Sequence, residues 1–161
     1  MKEKNGEHPF GDTGQMILLA LFLILWMTDS FFLRTSTFLS DYVPLYVRLL
    51  FLGVALVTAI YLSKSSHDVV FRAQRGQKVV SSGAFRYVRH PLYSACLLFY
   101  LGLAVSTVSV FSLVFFVVIF VFYNYIANYE ERLLDEKFGE DYKKYKRGTG
   151  KWVPRVRKES L

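Results

Sequence analysis

The chain has 161 residues, 53% of them hydrophobic, with a mean hydropathy of +0.28 and a formal charge of +7. Residues 49–61 and 92–129 contain no charged side chain at all, and a chain this short has no soluble core large enough to bury the second run. Four membrane-spanning helices of ~20 residues would use about half the chain, so the composition excludes a soluble single domain and describes an integral membrane protein.

A sequence pI near 9.5 can indicate nucleic-acid binding, but the charge distribution points elsewhere. Residues 63–90 carry Lys64, Arg72, Arg75, Lys78, Arg86 and Arg89 against Asp68 alone, and residues 130–161 hold ten basic and seven acidic side chains. Both segments flank apolar runs, where the positive-inside rule and anionic headgroups account for a basic excess. Membrane lipids are the expected surroundings and nucleic acid is not an expected partner. Cys96 is the only cysteine and lies in an apolar run, so it reads as a packing residue.

The first span begins at the apolar run 16–27 and reaches spanning length only by continuing through Thr28, Asp29 and Ser30 to Leu33. No small-x-small cleavage pattern follows Met27 directly, which favours a retained helix over a signal peptide. Asp29 then falls within a turn of the membrane exit, where interfacial solvation is expected. The second span covers about residues 45–62, and Arg48 enters it by one turn, placed to snorkel or to pair with Asp41. The serines at 63, 65 and 66 suggest a loop start, and 68–76 reads as a basic linker. Spans three (92–105) and four (110–127) are separated only by Ser106, Thr107, Val108 and Ser109, a tight helical hairpin.

Beyond the last span, Leu134, Phe138, Tyr142 and Tyr145 recur at helical spacing with charges on the opposite side, and Glu140 and Lys144 are spaced as a favourable i,i+4 pair. The fourth helix is expected to run on as an amphipathic extension until Gly148, Gly150 and Pro154 end it. The fold class expected is all-α, a polytopic membrane bundle of about four transmembrane helices plus a C-terminal cytoplasmic amphipathic helix. Residues 1–62 would supply the N-terminal tail and first two helices, and 63–161 the functional core. The basic loops place both termini in the cytoplasm of a multi-pass protein, here read as one of a prokaryotic inner membrane.

Two polar clusters stand at the cytoplasmic boundaries. In Gly83-Ala84-Phe85-Arg86-Tyr87-Val88-Arg89-His90-Pro91-Leu92-Tyr93, Pro91 suits the first turn of helix three. The free N–H groups and dipole of that helix end favour an anion, and Arg89 and His90 add to the preference. Glu130-Glu131 follows the long uncharged run directly, an unexpected place for two carboxylates. A single ligand with a carboxylate, a positive charge and hydroxyl groups between them would satisfy both clusters, and S-adenosylmethionine is such a molecule. Interfacial anchoring of the first cluster and a solvated helix segment at the second are the plainer alternatives. Three histidines, one cysteine and no HExxH spacing give no metal site.

The string from Ser82 to Tyr93, followed by a short hairpin and Glu130-Glu131-x-x-Leu134-x-x-x-Phe138-Gly139-x-x-Tyr142-x-x-Tyr145, resembles the isoprenylcysteine carboxyl methyltransferase family. The related phospholipid N-methyltransferases share its Arg-His-Pro-x-Tyr and paired-glutamate elements. The resemblance covers roughly residues 75–155. It implies an S-adenosylmethionine-dependent methyltransferase whose cofactor is contacted by Gln77, Lys78, Val79, Val80, Phe85, His90, Pro91, Leu92, Tyr93 and Glu130, with Glu131 and Arg89 as catalytic candidates. Phe85 stands where tyrosine is usual, Ala95 where glycine is frequent, and Ile126 where the eukaryotic enzymes place an arginine for the substrate carboxylate. The acceptor implied is a lipophilic small molecule or a lipid-modified substrate entering laterally at the cytoplasmic interface. A carboxylate or thiolate acceptor needs no base, whereas an amine or alcohol would call on Glu131 or His90.

Two other readings follow from the same residues. Membrane sterol reductases, which use NADPH, contain a similar Arg-His-Pro-x-Tyr element, but their typical cysteine before a Lys-Tyr-Gly stretch has no counterpart near Lys137-Phe138-Gly139. A non-catalytic four-helix scaffold would leave both polar clusters without a ligand.

Overall fold

The computed structural model describes residues 11–73 and 79–155. Helix α1 (Gly11–Met27) passes into a π-helical turn (Thr28–Leu33), and a short 3-10 turn (Phe38–Tyr42) leads into α2 (Leu45–Ala73). A second 3-10 turn (Gly83–Arg86) precedes α3 (Pro91–Thr107), which pairs as a hairpin with α4 (Val110–Phe138), and α5 (Glu140–Gly148) follows. Among the described residues there is no strand, only the isolated parallel bridge between Val88 and Gly150. The chain is an all-α membrane bundle.

Three of the four expected spans, Gly11–Leu33, Leu45–Val69 and Val110–Phe138, are long and apolar enough to cross a bilayer. The third, α3, has 17 residues, about 26 Å at 1.5 Å per residue, a few ångströms short of a ~30 Å hydrocarbon core. It is the interior helix, burying Pro91, Ser94, Ala95, Leu97, Tyr100, Gly102, Ala104 and Ser106. A side chain at Gly102 would come within 3.2 Å of both Ala55 and Leu52 on α2. Small residues at this seam let two helices approach closely, which is how apolar helices gain contact where lipid is as apolar as leucine. Phe22 of α1 meets the Tyr100 ring edge-on at 4.8 Å, and Ile119 and Tyr123 of α4 complete the core. Met16, Ile24, Leu50, Val57, Val114 and Val121 point outward, as lipid-facing residues do.

The structure revises several local expectations. Helix α2 does not stop near Leu62 but continues to Ala73. No glycine or proline interrupts residues 54–75, and Ser66 donates to the carbonyl of Leu62 at 2.6 Å, a back-bond that keeps a serine compatible with helix. The C-terminal extension is broken rather than continuous, because Gly139 takes φ +54° between α4 and α5. Glu140 there pairs with Lys143 at 2.8 Å and not with Lys144.

Asp29 is a further revision. It is buried, at 2% exposure, and its carboxylate accepts from the Thr35 hydroxyl, the Ser36 amide and hydroxyl, and the Ser109 hydroxyl. Ser109 also caps α4 by accepting from the Ser112 amide at 3.1 Å. A buried carboxylate is tolerated only when its lone pairs are filled, and here they tie the end of α1 to the α3–α4 hairpin. Arg48 reaches the same hairpin, donating to the Ser106 carbonyl at 3.4 Å, instead of pairing with Asp41.

Candidate active site

The site is assembled at the other end of the hairpin. Gly83 takes φ +59°, and a Cβ there would lie 2.7 Å from the Val69 side chain and 2.9 Å from Ser65 Oγ, so only glycine fits. Its neighbour Ala84 donates its amide to Ser65 Oγ at 2.9 Å, which seats the turn on the polar end of α2. The chain then runs past Val88 to Arg89, whose amide donates to the carbonyl of Gly150 at 2.9 Å. Pro91 occupies the first turn of α3 with His90 as the preceding residue.

His90 lies between the paired glutamates of α4. Its Nε2 is 3.2 Å from Glu131 Oε1 and its Nδ1 is 3.6 Å from Glu130 Oε2. Its ring stacks on Tyr93 (5.7 Å between centroids, 7° between planes) and packs against Trp152 at 5.8 Å. The Tyr93 hydroxyl in turn donates to Glu130 Oε1 at 2.5 Å. The start of α3 and the far part of α4 therefore share one polar centre.

The two glutamates have different surroundings. Glu131 is buried in a cationic clasp: Arg89 Nε donates to it at 2.9 Å, and Lys146 Nζ stands 3.6 Å away. Arg89 also donates to the carbonyls of Thr149 at 2.5 Å and Lys146 at 3.3 Å, binding α5 and the tail against α4. Tyr142, buried beside this clasp, has its hydroxyl pushed above the ordinary phenol range, first by burial and then by the negative charge of Glu131. Burial also pushes Tyr145 up to about 12, and its hydroxyl donates to the Phe85 carbonyl at 2.6 Å. Glu130, by contrast, faces a cavity.

That cavity has a volume of about 760 Å³ and is walled by Phe85, Arg89, His90, Pro91, Leu92 and Tyr93 on one side, Glu130 and Leu134 on another, and the end of α2 on a third. Of the residues expected at a cofactor, Phe85, His90, Pro91, Leu92, Tyr93 and Glu130 line it. Val79 and Val80 are half-buried outside its lining, and Gln77 and Lys78 lie outside the described residues. Arg89 contributes to the wall, while Glu131 stands behind it in the clasp.

Several contributors carry no sequence signal of their own. Ser63, Lys64, Ser66, His67 and Asp68 form the third wall only because α2 continues where a loop was expected. Trp152 follows the last glycines and packs on His90 from a tail that the Val88–Gly150 bridge draws back to the site. Beside it, Lys151 donates to Asn124 Oδ1 at 2.8 Å and Asn128 Oδ1 at 2.7 Å on α4, and burial lowers its pKa from the usual lysine value.

Residues 42–141 match the family model for phospholipid methyltransferases, a segment that takes in α2, the hairpin and both glutamates. The chain belongs to the phospholipid methyltransferase family. A relative, protein-S-isoprenylcysteine O-methyltransferase B of Arabidopsis thaliana, is 32% identical over 92 residues, covering 56% of this chain and 47% of that protein. The chain thus spans about half the length of the curated relative it matches. The matched segment holds the uncharged hairpin together with the polar residues 82–93 and 130–141 at its two ends.

Proposed function

We propose that the chain is an S-adenosylmethionine-dependent methyltransferase that acts on a lipophilic acceptor at the cytoplasmic face of a prokaryotic inner membrane, with both termini on that face. The observation that carries this reading is the meeting of His90 and Glu130, 3.6 Å apart, on the wall of one cavity.

The cavity suits the cofactor in size and in charge. Sites for ligands of this size run from ~300 to ~1,000 Å³, and 760 Å³ falls within that range. The start of α3 together with Arg89 and His90 favours a carboxylate. Glu130 is the acid for a positive centre or for ribose hydroxyls, and Phe85 and Leu134 offer apolar surface to a base. Bound there, S-adenosylmethionine supplies a methyl group on a sulfonium, a strong electrophile.

The protein's own part is then positioning and exclusion of water. Glu131 is best understood as a positioning residue, because its oxygens already serve Arg89, His90 and Lys146. Arg89 carries the same duty from the other side, holding α5 and the tail over the site while lining its wall. Trp152 packs against the His90 ring. The catalytic demand on these groups depends on the acceptor: an anionic oxygen needs no base, and His90 is the group closest to hand for a neutral amine or alcohol.

Calorimetry on the detergent-purified protein tests the reading. S-adenosylmethionine is expected to bind and NADPH is not. Tight NADPH binding with no S-adenosylmethionine binding would overturn it in favour of a reductase.

A further inference from the structure

A second cavity, of about 570 Å³, lies between α1, α2 and α3. Its walls are almost wholly apolar, with Met16, Leu19 and Leu23 from α1, Leu56 and Ile60 from α2, and Phe99 from α3. It shares Ser63, Lys64 and Leu92 with the larger polar cavity, so the two spaces adjoin along one seam. Among the described residues, Lys64 is the single formally charged one in its lining. A third, small space of about 120 Å³ beside Glu130 and Tyr93 also borders on Gln15 and Leu92, which brings the apolar groove alongside the acid of the polar site.

We propose that Lys64 is a specificity-determining residue that selects acceptors with an anionic head, seating the head at the seam while the apolar tail lies in the groove between α1, α2 and α3. This rests on the methyltransferase reading, since it assigns the groove to the acceptor and the polar cavity to the cofactor. The physical case is charge complementarity at a fixed depth. A groove lined by aliphatic and aromatic carbon gains from a hydrocarbon tail whatever head it carries, so the tail gives affinity without discrimination. Discrimination comes from what the head meets. At the seam, lined by Ser63, Lys64 and Leu92, it meets one ammonium with three donors, which stabilises a carboxylate or phosphate and repels a cationic amine, while the carboxylates Asp68 and Glu130 line the polar cavity beyond the seam. Lys64 is exposed into these spaces and projects from the continuous helix α2, so its anchor point is fixed relative to His90 and Leu92. An anionic head also needs no proton removed before it accepts a methyl group, consistent with the engagement of Glu131 elsewhere.

The test uses the full chain in nanodiscs of zwitterionic lipid, saturated with S-adenosylhomocysteine, and reads the unfolding midpoint on titration with three sixteen-carbon amphiphiles: hexadecanoate, hexadecanamide and hexadecylammonium. Hexadecanoate is expected to stabilise the wild type most. Lys64→Gln should weaken its apparent affinity about tenfold, as loss of one charge-assisted contact would, and bring it level with the amide. Lys64→Arg should keep the preference. Equal shifts for the three heads in the wild type, no shift with any of them, or an unchanged preference in Lys64→Gln overturns the proposal while leaving the cofactor reading intact. Failure of S-adenosylhomocysteine to stabilise the wild type would instead sink the underlying methyltransferase reading.

Discussion

His90 Nε2 lies 3.2 Å from Glu131 Oε1, joining the residue just before α3 to the buried carboxylate of α4. Arg89 and Lys146 close on the same carboxylate, so Glu131 is the point at which α3, α4 and α5 are held together. Breaking a buried ion pair by removing one partner leaves the others uncompensated and costs ~3 kcal/mol or more. Glu131→Ala is therefore expected to lower the unfolding midpoint far more than Glu130→Gln does. Thermal unfolding in detergent measures both, and equal midpoints for the two variants would contradict this role.

Gly83 has a different vulnerability. Its φ of +59° and the 2.7 Å approach of Val69 leave no room for a methyl group. Gly83→Ala should cost about 1–3 kcal/mol from backbone strain and should shift the 3-10 turn that carries Phe85. Reduced stability together with weaker S-adenosylhomocysteine binding is the expected pair of results, and an unaltered variant would show that the turn tolerates a side chain.

The Asp29 cluster stands at the opposite end of the hairpin from the site. Asp29→Asn keeps the shape but removes acceptor capacity from a carboxylate that serves Thr35, Ser36 and Ser109. A loss of about 1–3 kcal/mol follows from leaving buried hydroxyls poorly paired. Affinity of the folded variant for S-adenosylhomocysteine should stay at the wild-type value, because no residue of this cluster lines the polar cavity. A stability loss accompanied by an equal loss of affinity would show that the two ends are coupled.

Tyr145 gives a prediction about pH. Its phenol is pushed up to about 12 in the fold by burial, whereas an unfolded tyrosine titrates near 10. The native state holds this proton more tightly, so its contribution is complete below about pH 10 and is lost as pH rises from 10 to about 12. Tyr145→Phe should flatten that alkaline limb and, by removing the bond to the Phe85 carbonyl, cost about 1 kcal/mol at neutral pH. Unfolding midpoints across pH 8–11 check both effects, and an identical alkaline limb in the variant would contradict them.

The outline of the candidate site is legible in the sequence. The uncharged run, the four-residue hairpin linker and the motifs at 82–93 and 130–145 state which helix ends carry polar groups, and the hairpin brings those ends together. What could not be read are contacts that depend on packing. Ser63, Ser65 and Ser66 have the composition of a loop, but the back-bond of Ser66 and the seating of Ala84 on Ser65 keep them helical. Asp29 looked like an interfacial charge because its partners are Ser36 and, eighty residues on, Ser109. Trp152 reaches His90 only through a bridge between Val88 and Gly150, a pairing of two residues with no local pattern to announce it.

Stabilisation by S-adenosylhomocysteine remains the most direct measurement of whether His90 and Glu130 hold one ligand between them. A ligand that binds only the native state adds about 2.7 kcal/mol at a hundredfold excess over its Kd. The wild type should therefore gain a raised unfolding midpoint that grows with ligand concentration, while His90→Ala and Glu130→Gln should gain little although folded. No rise in the wild type, or the same rise in all three proteins, would contradict the shared site.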